Sequence, residues 1–319
     1  MARRPVSVLA IGALRASVWV IRILPCRAAY RLGQAMGLLY FAFARSHRRL
    51  ALSNLRLAYG DEKSLSERKR IALGSFVNMG LNMVDFCRVP SLFKKGFPKS
   101  IEVEGVENIE KALSQGKGAI LLTGHLGSWE LMAAAAAFKG VPLAAIVAST
   151  RDPLIDRFMK EMRESYGYET LLKRKAGADV MSALRRNVAV GILADESPRS
   201  DGVLVEFFGQ EAGATRGVAV FALRSGAPVI PSFMIRLANP AEHKLIIEEP
   251  LELVRTGDTR IDVLRNTELF QSVIERYVRQ RPKQWLWMQK RWKIRGSVKR
   301  RGEPAQEDEP AKLVERSDN

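Results

Sequence analysis

The residues best placed to do chemistry stand at 124–130, as Gly124-His125-Leu126-Gly127-Ser128-Trp129-Glu130. The apolar run at 119–123 predicts a β-strand, the glycines predict a turn, and a helix is expected from Ser128. In open α/β sheets, sites gather at the carboxyl ends of strands, where the following helix presents free amides and the positive end of its dipole. Inside one helix, a spacing of five would set His125 and Glu130 roughly 140° apart. A histidine on the turn can instead fold back to a carboxylate in the first helical turn. Glu130 is therefore expected to accept from one ring nitrogen, fix the tautomer and leave the other nitrogen as a general base. No Gly-x-Ser-x-Gly nucleophile is present, so the proton that His125 would take belongs to a hydroxyl on the substrate. The string HLGSWE is not H-E-x-x-H, which excludes a zinc protease of that type. The plainer alternative is a helix cap at Ser128 beside a satisfied turn histidine. Against it, the chain has only three histidines, and this one stands among glycines that let backbone approach a ligand closely.

These residues need a scaffold to hold them. Beyond residue 100, short apolar or β-branched runs at 101–106, 119–123, 143–148, 188–194, 228–236 and 244–253 alternate with helical stretches. The helices are expected up to Gln115, from Ser128, over 154–166 and 180–186, and from Thr215. That alternation predicts an α/β sheet with helices on its faces. Upstream, helices are predicted over 48–59 and 70–86, the second led in by Leu65-Ser66-Glu67, and residues 90–98 predict a break between two prolines.

Composition narrows the class. With 47% hydrophobic and 27% charged residues the chain is an ordinary folded protein, neither collagen-like nor a coiled coil nor mostly disordered. Its net charge of +17 implies a polyanionic neighbour, and position narrows the choice. Residues 1–60 hold ten arginines and no Asp, Glu or Lys, and they also hold two apolar runs, 6–24 and 28–44, each near membrane-spanning length. Arg15 and Arg22 are seven apart, which makes the first run equally an interfacial helix with a basic stripe. Buried core helices with snorkelling arginines are the third reading. A cleaved signal peptide fits poorly, because arginines interrupt the apolar region. Two cysteines 61 residues apart support neither a disulfide framework nor a zinc site, so a metal-free site is expected. The organisation expected is membrane anchor or interfacial helices at 1–45, one catalytic domain at 46–296 and a disordered charged tail at 297–319.

His-x4-Glu after an apolar strand resembles the His-x4-Asp/Glu motif of the glycerolipid and lysophospholipid acyltransferases. The whole chain to about residue 295 is more similar still to the bacterial lipid A late acyltransferases, the lauroyl and myristoyl transferases of lipopolysaccharide assembly. The resemblance rests on Gly124 to Glu130, then Arg151-Asp152-Pro153, Arg163 with Gly167, Ala194-Asp195, Phe207-Phe208-Gly209 and Thr215-Arg216-Gly217, and it closes on the block from Gln284 to Lys293 with Trp285, Trp287 and Trp292. Two positions depart from the family pattern: Glu196 stands where a glutamine is usual, and Gln289 where a histidine is frequent. The resemblance implies a mixed central sheet flanked by helices, glycerolipid acyltransferase-like, with an N-terminal membrane-associated segment. It further implies an enzyme of the bacterial inner membrane with a cytoplasmic active site, which carries an acyl chain from acyl carrier protein or acyl-coenzyme A to a hydroxyl of a lipid A precursor. No cofactor and no metal are expected.

Acyl transfer from a thioester passes through an oxyanion, which needs donors. The backbone amides of Gly127 and Ser128 are candidates, and the family pattern adds Arg151 and Arg163, although Arg163 is equally readable as a helix-surface charge. Arg174 and Lys175 suit a donor phosphate. Asp195, ending the strand at 188–194, suits a sugar hydroxyl or an active-site arginine, or else caps a turn. Phe207 and Phe208 suit an acyl channel or plain core. The tryptophan block suits a membrane interface, with indoles at headgroup depth. The same string suits single-stranded nucleic acid in a protein without catalysis, a partner that the apolar N-terminus and the His/Glu pair disfavour. Another glycolipid or a lysophospholipid is the alternative acceptor.

Overall fold

The computed structural model describes residues 5–150, 152–173, 176–198 and 202–292. Four helices come first: α1 (Pro5–Ile23), α2 (Cys26–Phe43), α3 (Arg45–Tyr59) and α4 (Leu65–Leu92). The rest alternates as expected, through β1 (Ile101–Glu104), α5 (Val106–Leu113), β2 (Ala119–Thr123), α6 (Trp129–Phe138), β3 (Leu143–Val147), α7 (Pro153–Glu164), β4 (Glu169–Leu172), α8 (Ala176–Arg185) and β5 (Ala189–Leu193). There follow the hairpin β6 (Gly202–Phe207) and β7 (Gln210–Thr215), then α9 (Gly217–Ser225), β8 (Val229–Arg236), β9 (His243–Ile247) and α10 (Thr259–Gln280). The seven-stranded sheet has the order β1-β9-β8-β2-β5-β3-β4, parallel except between β8 and β9. It is the mixed sheet flanked by helices that the resemblance implies.

The alternation of side chains along β2 shows how the sheet is clad. Ile120 and Leu122 enter an apolar layer with α3, α8, α9 and α10, while Ala119 and Leu121 enter a second layer with α1, α2, α4, α5 and α6. All five residues of β2 are buried, as a central parallel strand requires. Helix α4 opens on a capping box between Ser64 and Glu67. It then runs through Pro90, where a break was expected, because a proline in the last turn removes few hydrogen bonds. Strand β4, the β6–β7 hairpin and α10 were not legible beforehand.

The boundary expected at 45/46 falls in the first turn of α3, and α2 packs on α4 across it. A Cβ on Gly37 would lie 2.5 Å from the Phe76 carbonyl oxygen, so glycine is what permits the two backbones to touch. Helix α1 is tied down as well. Arg88 donates to the carbonyls of Ile21 and Leu24, and Arg22 to that of Cys87, while Arg15 lies over the Phe158 ring. Of the basic stripe expected to face a membrane, Arg22 thus turns into the protein while Arg15 stays exposed beside Phe158. The outer surfaces of both helices carry open apolar side chains: Leu9, Trp19 and Ile23 on α1, and Leu32, Met36, Leu39 and Phe43 on α2, with Trp19 61% and Phe43 80% exposed. Among the described residues no helix is long and apolar enough to cross a membrane. The tail expected to be disordered lies outside the described residues.

Candidate active site

Strand β2 hands the chain to a turn that α6 continues, and almost every polar group of the turn is engaged. The amide of His125 donates to Asp195 Oδ2 at 2.8 Å, that of Gly127 to the Gln284 carbonyl at 3.1 Å, and that of Ser128 to the Met234 carbonyl at 2.9 Å. Gly127 has φ +63°, and a Cβ there would sit 1.7 Å from the Met234 oxygen, so no other residue fits. Ser128 precedes α6 without capping it. Its hydroxyl is buried and donates at 2.8 Å to Asp85 Oδ2, whose carboxylate also accepts from Tyr30 at 2.6 Å and Arg236 at 2.6 Å. Asn78 holds the Gly127 carbonyl at 3.0 Å and, with Asn82, braces Arg236. Sequence reasoning missed this buried network under the turn, because its members are scattered over α2, α4 and β8.

His125 meets Asp195, not Glu130. Thr123 pairs with Leu193 across the parallel strands β2 and β5, so two residues beyond each of them the chains bring His125 and Asp195 together. Nδ1 of the ring lies 2.8 Å from Asp195 Oδ1. The carboxylate is fully buried and accepts further from Trp285 Nε1 at 2.7 Å and Gln289 Nε2 at 3.3 Å. Burial by itself would push Asp195 up, but His125 and these donors hold it down to about 2. Burial likewise opposes charging of the His125 ring, and Asp195 outweighs it, so the ring titrates above the ordinary imidazole value. The ring is 18% exposed, and its other nitrogen, Nε2, has no hydrogen-bonding side chain among the described residues. Trp129 packs edge-on against it at 5.2 Å.

The expected bond from Glu130 to His125 is not formed. Glu130 is aimed instead at α7, where Arg163 offers a fork of two donors, Nε at 3.1 Å and Nη2 at 2.5 Å, joined by the Tyr168 hydroxyl at 3.3 Å. Arg163 is accordingly neither a surface charge nor free for an oxyanion. The Gly127 and Ser128 amides are also unavailable as oxyanion donors, since both already bind carbonyls. Asp195 holds the histidine rather than an arginine or a turn. Trp285 and Trp287 are fully buried core residues, which corrects the membrane-interface reading and removes them as stacking platforms for nucleic acid. Phe207 and Phe208 are buried in the same aromatic cluster. Arg151, Arg174 and Lys175 lie outside the described residues.

With the fold and site in place, the relatives can be set beside them. The chain is 25% identical over 289 residues to a lipid A biosynthesis lauroyltransferase of Escherichia coli K12, covering 90% of this chain and 91% of that one. It is 24% identical over 286 residues to a lipid A biosynthesis palmitoleoyltransferase of the same organism, covering 87% and 89%. A phosphatidylinositol mannoside acyltransferase of Mycolicibacterium smegmatis is 25% identical over 148 residues, 45% of this chain and 49% of that one. The class is therefore plain: an α/β acyltransferase. Residues 5–294 match the model of the bacterial lipid A biosynthesis acyltransferases, and the chain belongs to that family.

Proposed function

We propose that this acyltransferase moves a fatty acyl group from a thioester donor, acyl carrier protein or acyl-coenzyme A, to a hydroxyl of a lipid A precursor at an anionic membrane surface. The carrying observation is the His125–Asp195 pair. Asp195 holds the Nδ1 proton, which leaves the Nε2 lone pair as the base. His125 Nε2 takes the acceptor proton, and the freed oxygen attacks the thioester carbonyl. The tetrahedral oxyanion then collapses, the carbon–sulfur bond breaks, and the imidazolium returns its proton to the thiolate. Donors for the oxyanion come from the start of α6, where the amides of Trp129 and Glu130 have no protein acceptor among the described residues. A small apolar cavity of about 30 Å³ lined by Leu121, Trp129, Met132, Leu143 and Gly191 lies against the same turn, and an acyl chain would have to widen it to enter there. The open apolar faces of α1 and α2, beside ten arginines in the first 60 residues, suit docking on anionic lipid. The net charge of +17 also suits a strongly acidic carrier protein. Likeness to the phosphatidylinositol mannoside acyltransferases favours a second acceptor class, another glycolipid.

The test is turnover of a lipid A precursor with each thioester by the full chain in detergent. His125→Ala should lose about 10² to 10⁴-fold in kcat, the usual share of a general base. Near wild-type turnover in that variant overturns the mechanism. Lipid mass spectrometry of a deletion strain identifies the acceptor and chain length.

A further inference from the structure

Three parallel strands end around His125, and the third contributes a charge that the mechanism above does not use. Glu196 follows Asp195 beyond β5, and Lys173 follows β4. Glu196 Oε1 stands 3.9 Å from His125 Nε2, the nitrogen opposite Asp195, and Glu196 Oε2 is held by Lys173 Nζ at 2.5 Å. The separation is too long for a hydrogen bond and short enough for strong coupling of charge. The imidazole is therefore bracketed by two carboxylates, one buried on Nδ1 and one half-exposed on Nε2, the second partly neutralised by a lysine. Among the described residues the other nearby charges are engaged elsewhere: Glu130 by Arg163, and Arg291 by Gly213 and Gln271. We propose that Glu196 and Lys173 are positioning residues, a charge couple that sets the pH at which His125 Nε2 is free to accept the acceptor's proton.

The physical sense follows from the two signs. An uncompensated Glu196 would stabilise the imidazolium, keep the base protonated at neutral pH and repel the alkoxide that forms beside it. Lys173 offsets both effects, and its removal therefore hinders catalysis most at neutral pH, while at higher pH only the smaller repulsion of the alkoxide remains. This rests on His125 acting as the base, and the experiment separates the two ideas by reading the ring without turnover. Both side chains are substantially exposed, 39% and 52%, so their substitution leaves the fold intact.

The Hε1/Cε1 resonance of His125, assigned by its absence in His125→Ala, is titrated in the full-length protein in detergent beside the pH profile of kcat/KM. Glu196→Gln is expected to move the ring titration and the acid limb down by about half to one pH unit, and Lys173→Met to move both up. In the double variant both should lie close to Glu196→Gln. A titration that neither variant moves, or that both move in one direction, overturns the proposal. Opposite shifts of the ring with an immobile acid limb uphold the couple and overturn the general-base reading instead.

Discussion

Replacing Asp195 by asparagine tests the central geometry most sharply, because the structure dictates which way the amide must turn. At the Oδ2 position the carboxylate meets the His125 amide at 2.8 Å and Trp285 Nε1 at 2.7 Å, with Gln289 at 3.3 Å, all donors; at Oδ1 it meets, among the described residues, only the ring. An amide NH2 placed at Oδ2 would oppose several fixed N–H groups, so it turns toward the ring. The imidazole answers by moving its proton to Nε2, and the base disappears. The expected loss in kcat is about 10² to 10⁴-fold, or roughly 2.7 to 5.5 kcal/mol of barrier. Stability should change in a defined pH window. Asp195 is held near 2 in the folded protein, below the roughly 3.9 of an unfolded aspartate, so its contribution is full above about pH 4 and lost as pH falls through about 2. The order of magnitude is about 2 kcal/mol. Thermal melts from pH 2 to 7 should show this loss in the wild type and not in the variant. Recovery of wild-type turnover at high pH, or a 15N spectrum with the proton still on Nδ1, would refute the tautomer reasoning.

Three further outcomes are expected. Glu130→Gln strips a largely buried Arg163 of its counter-charge and should cost about 1 to 3 kcal/mol in thermal stability, yet leave the acid limb of the kcat/KM profile in place, since His125 does not bond to Glu130. Gly37→Ala drives a methyl into the α4 backbone and should lower Tm by several degrees, whereas Gly12→Ala, with nothing within 4 Å, should be neutral or stabilising; circular dichroism melts separate them. Trp19→Ser and Phe43→Ser should each weaken sedimentation with anionic vesicles roughly tenfold at unchanged Tm, because both rings are exposed in the folded protein, and unchanged binding would place the docking face elsewhere.

Local chemistry wrote much of this protein into its sequence. Periodicity showed the alternation of strands and helices beyond residue 100, because a strand buried on both faces reads as a near-continuous apolar run, as 119–122 does. The glycines at 124 and 127 marked the turn, since only glycine admits the approach that Gly127 makes to Met234. His125 stood out by its place at the end of a strand. Its partner did not. Spacing along the chain favoured Glu130, five residues away, whereas Asp195 is 70 residues away and becomes a neighbour only through the order of strands, with β2 beside β5 in parallel register. The same holds for Ser128 on Asp85, for Arg163 on Glu130, and for Trp285, whose indole looked like a membrane anchor until burial placed it on Asp195. Residue type and local spacing determine which groups can do chemistry. Which carboxylate faces which cation is settled by the tertiary structure, because desolvation and a fixed hydrogen-bond geometry select one partner among many that the chain could reach.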